Sequence, residues 1–269
     1  MALIIAGSGP TDRDGNNPQM KNNSLKMLSE GLFYNNIATL CFDKRGIAQS
    51  KHAGKQEADL RFEDYIYDVR QWVELLSHDK RFSEIVIIGH SEGSLIGMVA
   101  AQNNPKLTKY ISLAGSGKAA ADILREQLED RMKAQPQLIK ETVFSYIDKL
   151  EKGETITDVP VSLNTLFRPS VQPYMISWFK YNPQKEISKL TIPILVIHGT
   201  TDIQVPVEHA ELLLNANKKA KKVIIENMNH VLKDCAQTDM NTQLKSYNDT
   251  IIPINNMIVK YIIDFILFK

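Results

Sequence analysis

A chain of 269 residues with 43% hydrophobic side chains has the length to bury one large core, which fits a single α/β domain carrying an insertion better than two separate domains. Its formal net charge of +1 comes from scattered Lys and Arg with no basic face, which argues against nucleic acid or an anionic membrane as a partner. The two cysteines, Cys41 and Cys235, and the six histidines fall at no metal-ligand spacing, so neither a metal, a cofactor nor a structural disulfide is expected.

In chain order, Leu3–Ile5 reads as a first short strand, followed by a polar Gly-rich loop and a helix behind a Ser24 cap with Leu25, Leu28, Leu32 and Phe33 on its apolar side. A second strand is expected over Ile37–Phe42, then a helix presenting Phe62, Ile66, Val69, Val73 and Leu76. Ile85–Ile88 and Tyr110–Leu113 are the next strands, with an apolar helix from Gly93 to about Asn103 between them. From about Lys118 to Lys189 no strand pattern occurs. Two helices, Asp122–Ala134 and Pro136–Lys152, and the Pro-rich aromatic stretch Pro169–Pro183 are expected there instead. Strands resume at Ile194–Ile197 and Val223–Ile225, the basic run Lys218–Lys222 reading as a solvated helix end before the latter. A last helix, about Asn255–Leu267, places Ile258, Ile262 and Phe265 on one side.

Each apolar β-branched run reads as a strand buried on both faces, and their alternation with helices means a parallel sheet with right-handed crossovers. The expected fold is therefore α/β, a mostly parallel central sheet of about six strands flanked by helices, with a helical cap insertion. Residues 1–117 and 190–269 would form the core and 118–189 the cap, set above the carboxyl ends of the strands where ligands bind in open α/β sheets.

Gly89-His90-Ser91-Glu92-Gly93 joins a strand to an apolar helix, the sequence form of a turn sharp enough to lift its serine clear of the sheet. Glycines two positions either side remove the collisions that such a turn and a closely packed helix would cause. A serine hydroxyl is a weak nucleophile and needs a base, and the base needs an orienting group. Both follow in order: Asp202 just past the strand ending at Ile197, and His230 just past the strand ending at Ile225.

With these residues the chain resembles an α/β-hydrolase lacking the superfamily's usual first strands. Gly199-Thr200-Thr201-Asp202-Ile203-Gln204-Val205-Pro206 is similar to its acid loop and Asn229-His230-Val231-Leu232-Lys233 to its histidine loop. More narrowly, Gly7-Ser8-Gly9-Pro10-Thr11-Asp12-Arg13-Asp14-Gly15-Asn16, His90-Ser91-Glu92-Gly93 and Ser246-Tyr247-Asn248-Asp249 resemble bacterial carboxylesterases related to the serine aminopeptidase-like branch. The resemblance implies Ser91 as nucleophile, His230 as general base and acid, and Asp202 as orienting acid. It implies an oxyanion hole from the backbone N–H groups of Ser8 and Glu92, although Ala6 stands where the superfamily has histidine. The implied activity is hydrolysis of a small-molecule carboxylic ester through an acyl-enzyme. Alternatives are an aminopeptidase, with Glu92, Glu126, Glu129 or Asp130 holding the substrate ammonium, a thioesterase, or a hydrolase-shaped binding protein without catalysis.

For the Glu92 carboxylate, a partner such as Arg13 and a solvent-facing position are both open. Asp43-Lys44-Arg45-Gly46 resembles a superfamily turn whose acid and arginine hold loops together, and Asp12 and Asp14 read as loop-shaping. His198 reads as a packed core histidine, and His90 as packing against the elbow. Among the cap's apolar side chains, Trp178, Phe167 and Met175 are the candidates to wall a mostly apolar substrate pocket, Trp178 first. Because the chain starts almost at the oxyanion strand, the run 37–42 becomes a sheet edge, to be covered by a second copy of the chain or by a longer natural N-terminus. As written the chain reads as soluble and cytoplasmic; a longer N-terminus would leave room for a secretion signal and an extracytoplasmic location.

Overall fold

A computed structural model describes residues 1–268, leaving aside the side chains of Asp130 and Arg131. In chain order it comprises β1 (Ala2–Ile5), α1 (Ser24–Phe33), β2 (Thr39–Cys41), α2 (Phe62–Ser77), β3 (Val86–His90), α3 (Glu92–Ala101), β4 (Lys109–Leu113), α4 (Ala120–Arg131), α5 (Gln137–Glu151), α6 (Asn164–Phe167), α7 (Gln172–Phe179), α8 (Pro183–Ser188), β5 (Ile194–Gly199), α9 (Glu208–Ala216), β6 (Lys221–Ile225), α10 (Met240–Tyr247) and α11 (Asn256–Leu267). The six strands form one sheet in the order β2-β1-β3-β4-β5-β6, every pair parallel. All carboxyl ends therefore lie along one rim, with Ile5 beside Gly89, His90 beside Leu113, and Gly199 beside Ile225.

Alternation along the strands divides the core between the two sheet faces. Leu3, Ile5, Ile87 and Val196 pack with Phe62, Val69 and Val73 of α2 and Met98 of α3. Ala2, Ile4, Ile88, Leu113 and Ile197 pack with Leu25, Leu28 and Leu32 of α1 and Ile258, Ile262 and Phe265 of α11. The four inner strands are buried almost throughout, as expected. The expectation of burial on both faces does not hold for β2, which is half-buried, or for β6, where Lys221 and Ile224 are exposed. These two strands close the edges of the sheet, where the helical layers run out.

The stretch between β4 and β5 contributes α4 to α8 and a third apolar cluster of its own around Ala121, Val143, Ile147, Leu150, Phe167 and Met175. Within the Pro-rich stretch 169–183 the chain forms α7, with Pro173 in its first turn, and Pro183 at its end opens α8 behind an Asn182 cap. Proline fits a helix start because the first N–H groups have no intrahelical acceptor. Ser24 is the first residue of α1 and not its cap; Asn23 precedes it in the left-handed region at φ 55°. No helix among the described residues is long and apolar enough to cross a membrane.

Candidate active site

Ser91 sits between the last residue of β3 and the first of α3 with φ 53° and ψ −121°, a strained conformation for a residue with a side chain. Its N–H donates to the Leu113 carbonyl at 2.9 Å and its carbonyl accepts from Ser94 N–H at 2.9 Å, so the turn is pinned on both sides. The flanking glycines answer close approach. A Cβ on Gly89 would lie 2.3 Å from the Gly93 carbonyl oxygen, and one on Gly93 would lie 2.4 Å from that of Ile5.

Asp202 and His230 arrive from the loops after β5 and β6, and both are buried. Asp202 Oδ2 accepts from His230 Nδ1 at 2.8 Å, while Oδ1 accepts the backbone N–H groups of Gln204 and Val205, each at 2.9 Å. Burial alone would push the Asp202 carboxyl up; the His230 and His198 rings and the Val205 N–H outweigh it and hold the group below the usual carboxylate range. An ionised acceptor at Nδ1 fixes the proton there and leaves the Nε2 lone pair of His230 free. The histidine loop is held from a second side: His90 Nε2 donates to the His230 carbonyl at 2.8 Å, the two rings 5.0 Å apart. Burial, then the neighbouring His230, pushes His90 down to about 4, so it is neutral at neutral pH.

Ser91 and His230 line one cavity of about 70 Å³, together with Gly7, Ser8, Thr11, Asn17, Asn22, Gln204 and Val231. Among the described residues, neither Ser91 Oγ nor His230 Nε2 has a hydrogen-bond partner. Gly7 packs against the serine so closely that a Cβ on it would stand 3.1 Å from Ser91 Cβ. The N–H groups of Ser8 and Glu92, on either side of the serine, bond to no described residue. A serine hydroxyl and a histidine ring with one unpartnered nitrogen thus share one opening, with a buried carboxylate behind the ring and two backbone N–H groups on either side of the serine that meet no acceptor among the described residues. No group of three or more His, Cys, Asp or Glu among the described residues is arranged to hold a metal ion.

Comparison with known proteins bears on the fold. The structure matches that of Est1E from Butyrivibrio proteoclasticus, solved with ferulic acid bound, with a TM-score of 0.62 at 18% identity over 98% of this chain and 88% of that one. It also matches a lipase-esterase related protein from Clostridium acetobutylicum, with a TM-score of 0.57 at 18% identity over 98% of this chain and 93% of that one. The chain has the α/β-hydrolase fold. A family model described as serine aminopeptidase, S33, matches residues 22–150, a span that contains Ser91 and stops short of Asp202 and His230. Esterase EstD of Thermotoga maritima is 23% identical over 233 residues, 86% of this chain and 54% of that protein, so the chain spans about half the length of this curated relative.

Of the remaining expectations, that for the Glu92 partner needs correction and those for Asp43, Arg45, Asp12 and His198 hold. Glu92 does not pair with Arg13, which is held by Asp43 at 2.7 Å. Its carboxylate is buried against Lys44 Nζ at 3.2 Å and accepts from the Tyr174 hydroxyl, because α7 of the insertion closes over it. Asp43 does join loops, also accepting Arg13 N–H at 2.8 Å, and Arg45 pairs with Asp68 on α2. Asp12 shapes its own loop by accepting the Asp14 and Asn16 N–H groups. His198 donates to the Val205 carbonyl at 2.7 Å inside the core.

Trp178, Phe167 and Met175 do not line the cavity at Ser91. Phe167 and Met175 belong to the insertion's own apolar cluster, and Trp178 stacks on Phe62 at 6.1 Å, over the sheet. The cavity wall comes mainly from the loop after β1 and mixes polar side chains such as Ser8, Thr11, Asn17 and Asn22 with glycines, Met20 and Val231. Sequence reasoning also missed His90 as the holder of the histidine loop, and Lys44. The one signal for Lys44 was its place in the turn just past the apolar run ending at Phe42, where a buried ammonium needs partners.

Proposed function

We propose that the protein is a serine hydrolase that cleaves small carboxylic esters through an acyl-enzyme on Ser91. The observation that carries this reading is the 2.8 Å bond from His230 Nδ1 to Asp202, which leaves Nε2 as the base in a cavity shared with Ser91. In the first step Ser91 Oγ attacks the ester carbonyl carbon while its proton passes to His230 Nε2. The carbonyl oxygen, now negative, lies against the free N–H groups of Ser8 and Glu92. The C–O bond then breaks, the alcohol leaving with the proton from His230. Water repeats the sequence, releasing the acid and restoring Ser91.

The cavity beside Ser91 is small, about 70 Å³, which favours a short acyl chain. Its mixed lining, with Ser8, Thr11, Asn17 and Asn22 among the polar side chains, accommodates an alcohol that carries a hydroxyl or ether oxygen. An aminopeptidase reading needs an anion free to hold the substrate ammonium. Glu92, the acid nearest the serine, is occupied by Lys44 and Tyr174, and Glu126 on α4 is paired with Lys118. EstD is named an esterase, which agrees with the preference for esters.

The test is labelling with a fluorophosphonate probe, with Ser91→Ala as control, together with turnover of aryl esters of two to eight acyl carbons, acyl thioesters and aminoacyl amides. Labelling lost in Ser91→Ala and turnover highest on the shortest esters are expected. Amide or thioester turnover exceeding that of the matched ester would overturn the assignment.

A further inference from the structure

Lys44, just past β2, has a side chain only 2% exposed, a place where an ammonium is retained only with partners on all sides. Its Nζ donates to the Gly7 carbonyl at 2.6 Å and to Glu92 Oε2 at 3.2 Å, and lies 5.0 Å from the centre of the Tyr65 ring. The other Glu92 oxygen accepts from the Tyr174 hydroxyl. One buried cation therefore touches the backbone on one side of Ser91, at the Gly7 carbonyl, and the Glu92 side chain on the other.

The geometry of a peptide plane gives this contact a consequence. In a trans peptide the C=O and the following N–H point in opposite directions, and the chain contains no cis peptide among the described residues. The Gly7 carbonyl and the Ser8 N–H share one such plane. With the carbonyl drawn inward to Lys44, the Ser8 N–H is turned outward to the side where Ser8 and Ser91 line the cavity, and no described residue accepts from it. Lys44 also cancels the charge of Glu92, which would otherwise oppose negative charge developing beside the Glu92 N–H.

We propose that Lys44 is a positioning residue that builds the oxyanion hole, setting the Ser8 N–H through the Gly7 carbonyl and neutralising the Glu92 carboxylate. This rests on the ester-hydrolase reading above. The decisive comparison is between Lys44→Met, which keeps the length of the side chain, and the double variant Lys44→Met/Glu92→Gln, which also removes the carboxylate left without its cation. Removal of one oxyanion donor costs roughly 10²–10³ in rate, and a donor left mispositioned is expected to cost roughly 30- to 300-fold in kcat, with KM within about twofold. Fluorophosphonate labelling of Ser91 should slow in parallel.

A purely structural role predicts something else: relief of the lone carboxylate in the double variant would restore the melting temperature and turnover together. The positioning role predicts that the melting temperature recovers while kcat stays low. The double variant also keeps the test available should Lys44→Met alone fail to fold. An active wild type whose double variant turns over at the wild-type rate would overturn the inference and leave the ester-hydrolase reading intact. A wild type that neither hydrolyses esters nor labels at Ser91 would overturn that reading first, and the role of Lys44 with it.

Discussion

Replacing Gly93 by alanine places a methyl group where two strand carbonyls already stand. The new Cβ would lie 2.4 Å from the Ile5 oxygen and 2.7 Å from the Ala6 oxygen, whereas ordinary contact begins near 3.4 Å. Relief requires a shift of about 1 Å. β1 cannot supply it easily, because it is hydrogen-bonded to β2 on one side and β3 on the other. The displacement therefore falls on α3, whose residues are buried from Glu92 to Ala101 and whose first turn carries the Glu92 N–H. Overpacking of this kind costs about 3 kcal/mol, which for a chain of this size lowers Tm by roughly 6–12 °C. A misplacement of 1 Å at the elbow should also lower kcat by roughly 10²-fold. Gly153 provides the control. Its φ is +81° and nothing lies within 4 Å of where an added methyl group would stand, so Gly153→Ala carries only the left-handed backbone penalty of about 1 kcal/mol and should leave kcat unchanged. Thermal melts and steady-state ester hydrolysis on both variants measure the contrast. Equal losses in the two would refute the argument that close approach of α3 to β1 dictates glycine at 93.

Asp202→Asn preserves the size of the side chain but offers His230 Nδ1 an amide in place of an anion, so kcat should fall by roughly 10⁴ with the fold retained by circular dichroism; a loss under tenfold would contradict the orienting role. Stability should decline on mild acidification. His90 stays neutral in the folded protein, with its pKa at about 4, while an unfolded histidine takes up its proton near 6.5. Its contribution is thus complete above about pH 6.5 and is lost as pH falls toward 4, amounting to about 2 kcal/mol lost by pH 5. Asp202, depressed in the folded state, adds its own loss only below the ordinary carboxylate range. Urea unfolding at pH 7.5 and pH 5 reads the difference, which should shrink in His90→Gln; a wild type equally stable at both would refute the assignment.

The parts of this site that were legible in the sequence are those encoded locally. Ser91, Asp202 and His230 each follow an apolar, β-branched run that reads as a strand, and a parallel sheet puts all such run ends on one rim. The strands themselves were readable from β-branched runs, and the main helices from their apolar spacing. What was not legible depends on partners far along the chain. Lys44 meets Glu92 and Gly7, His90 meets the His230 carbonyl, and Tyr174 reaches back to Glu92. The aromatic side chains of the insertion were misplaced for the same reason: an apolar residue declares that it will be buried, but not against which surface. Phe167 faces Tyr146 in the insertion, not the serine.

The strand order also fixes when the chemistry becomes available. Ser91 belongs to the first half of the chain, while Asp202 and His230 follow β5 and β6, so a polypeptide emerging from synthesis carries its elbow long before its base. The long-range pairings that bring β5 and β6 beside β4 are of the kind that form late and slowly. Until then Ser91 is an ordinary alcohol with no imidazole to take its proton. On the function proposed above, reactivity at that serine would be a report of completed folding, and a chain halted or cleaved before residue 202 would display the serine without the base and acid proposed to activate it.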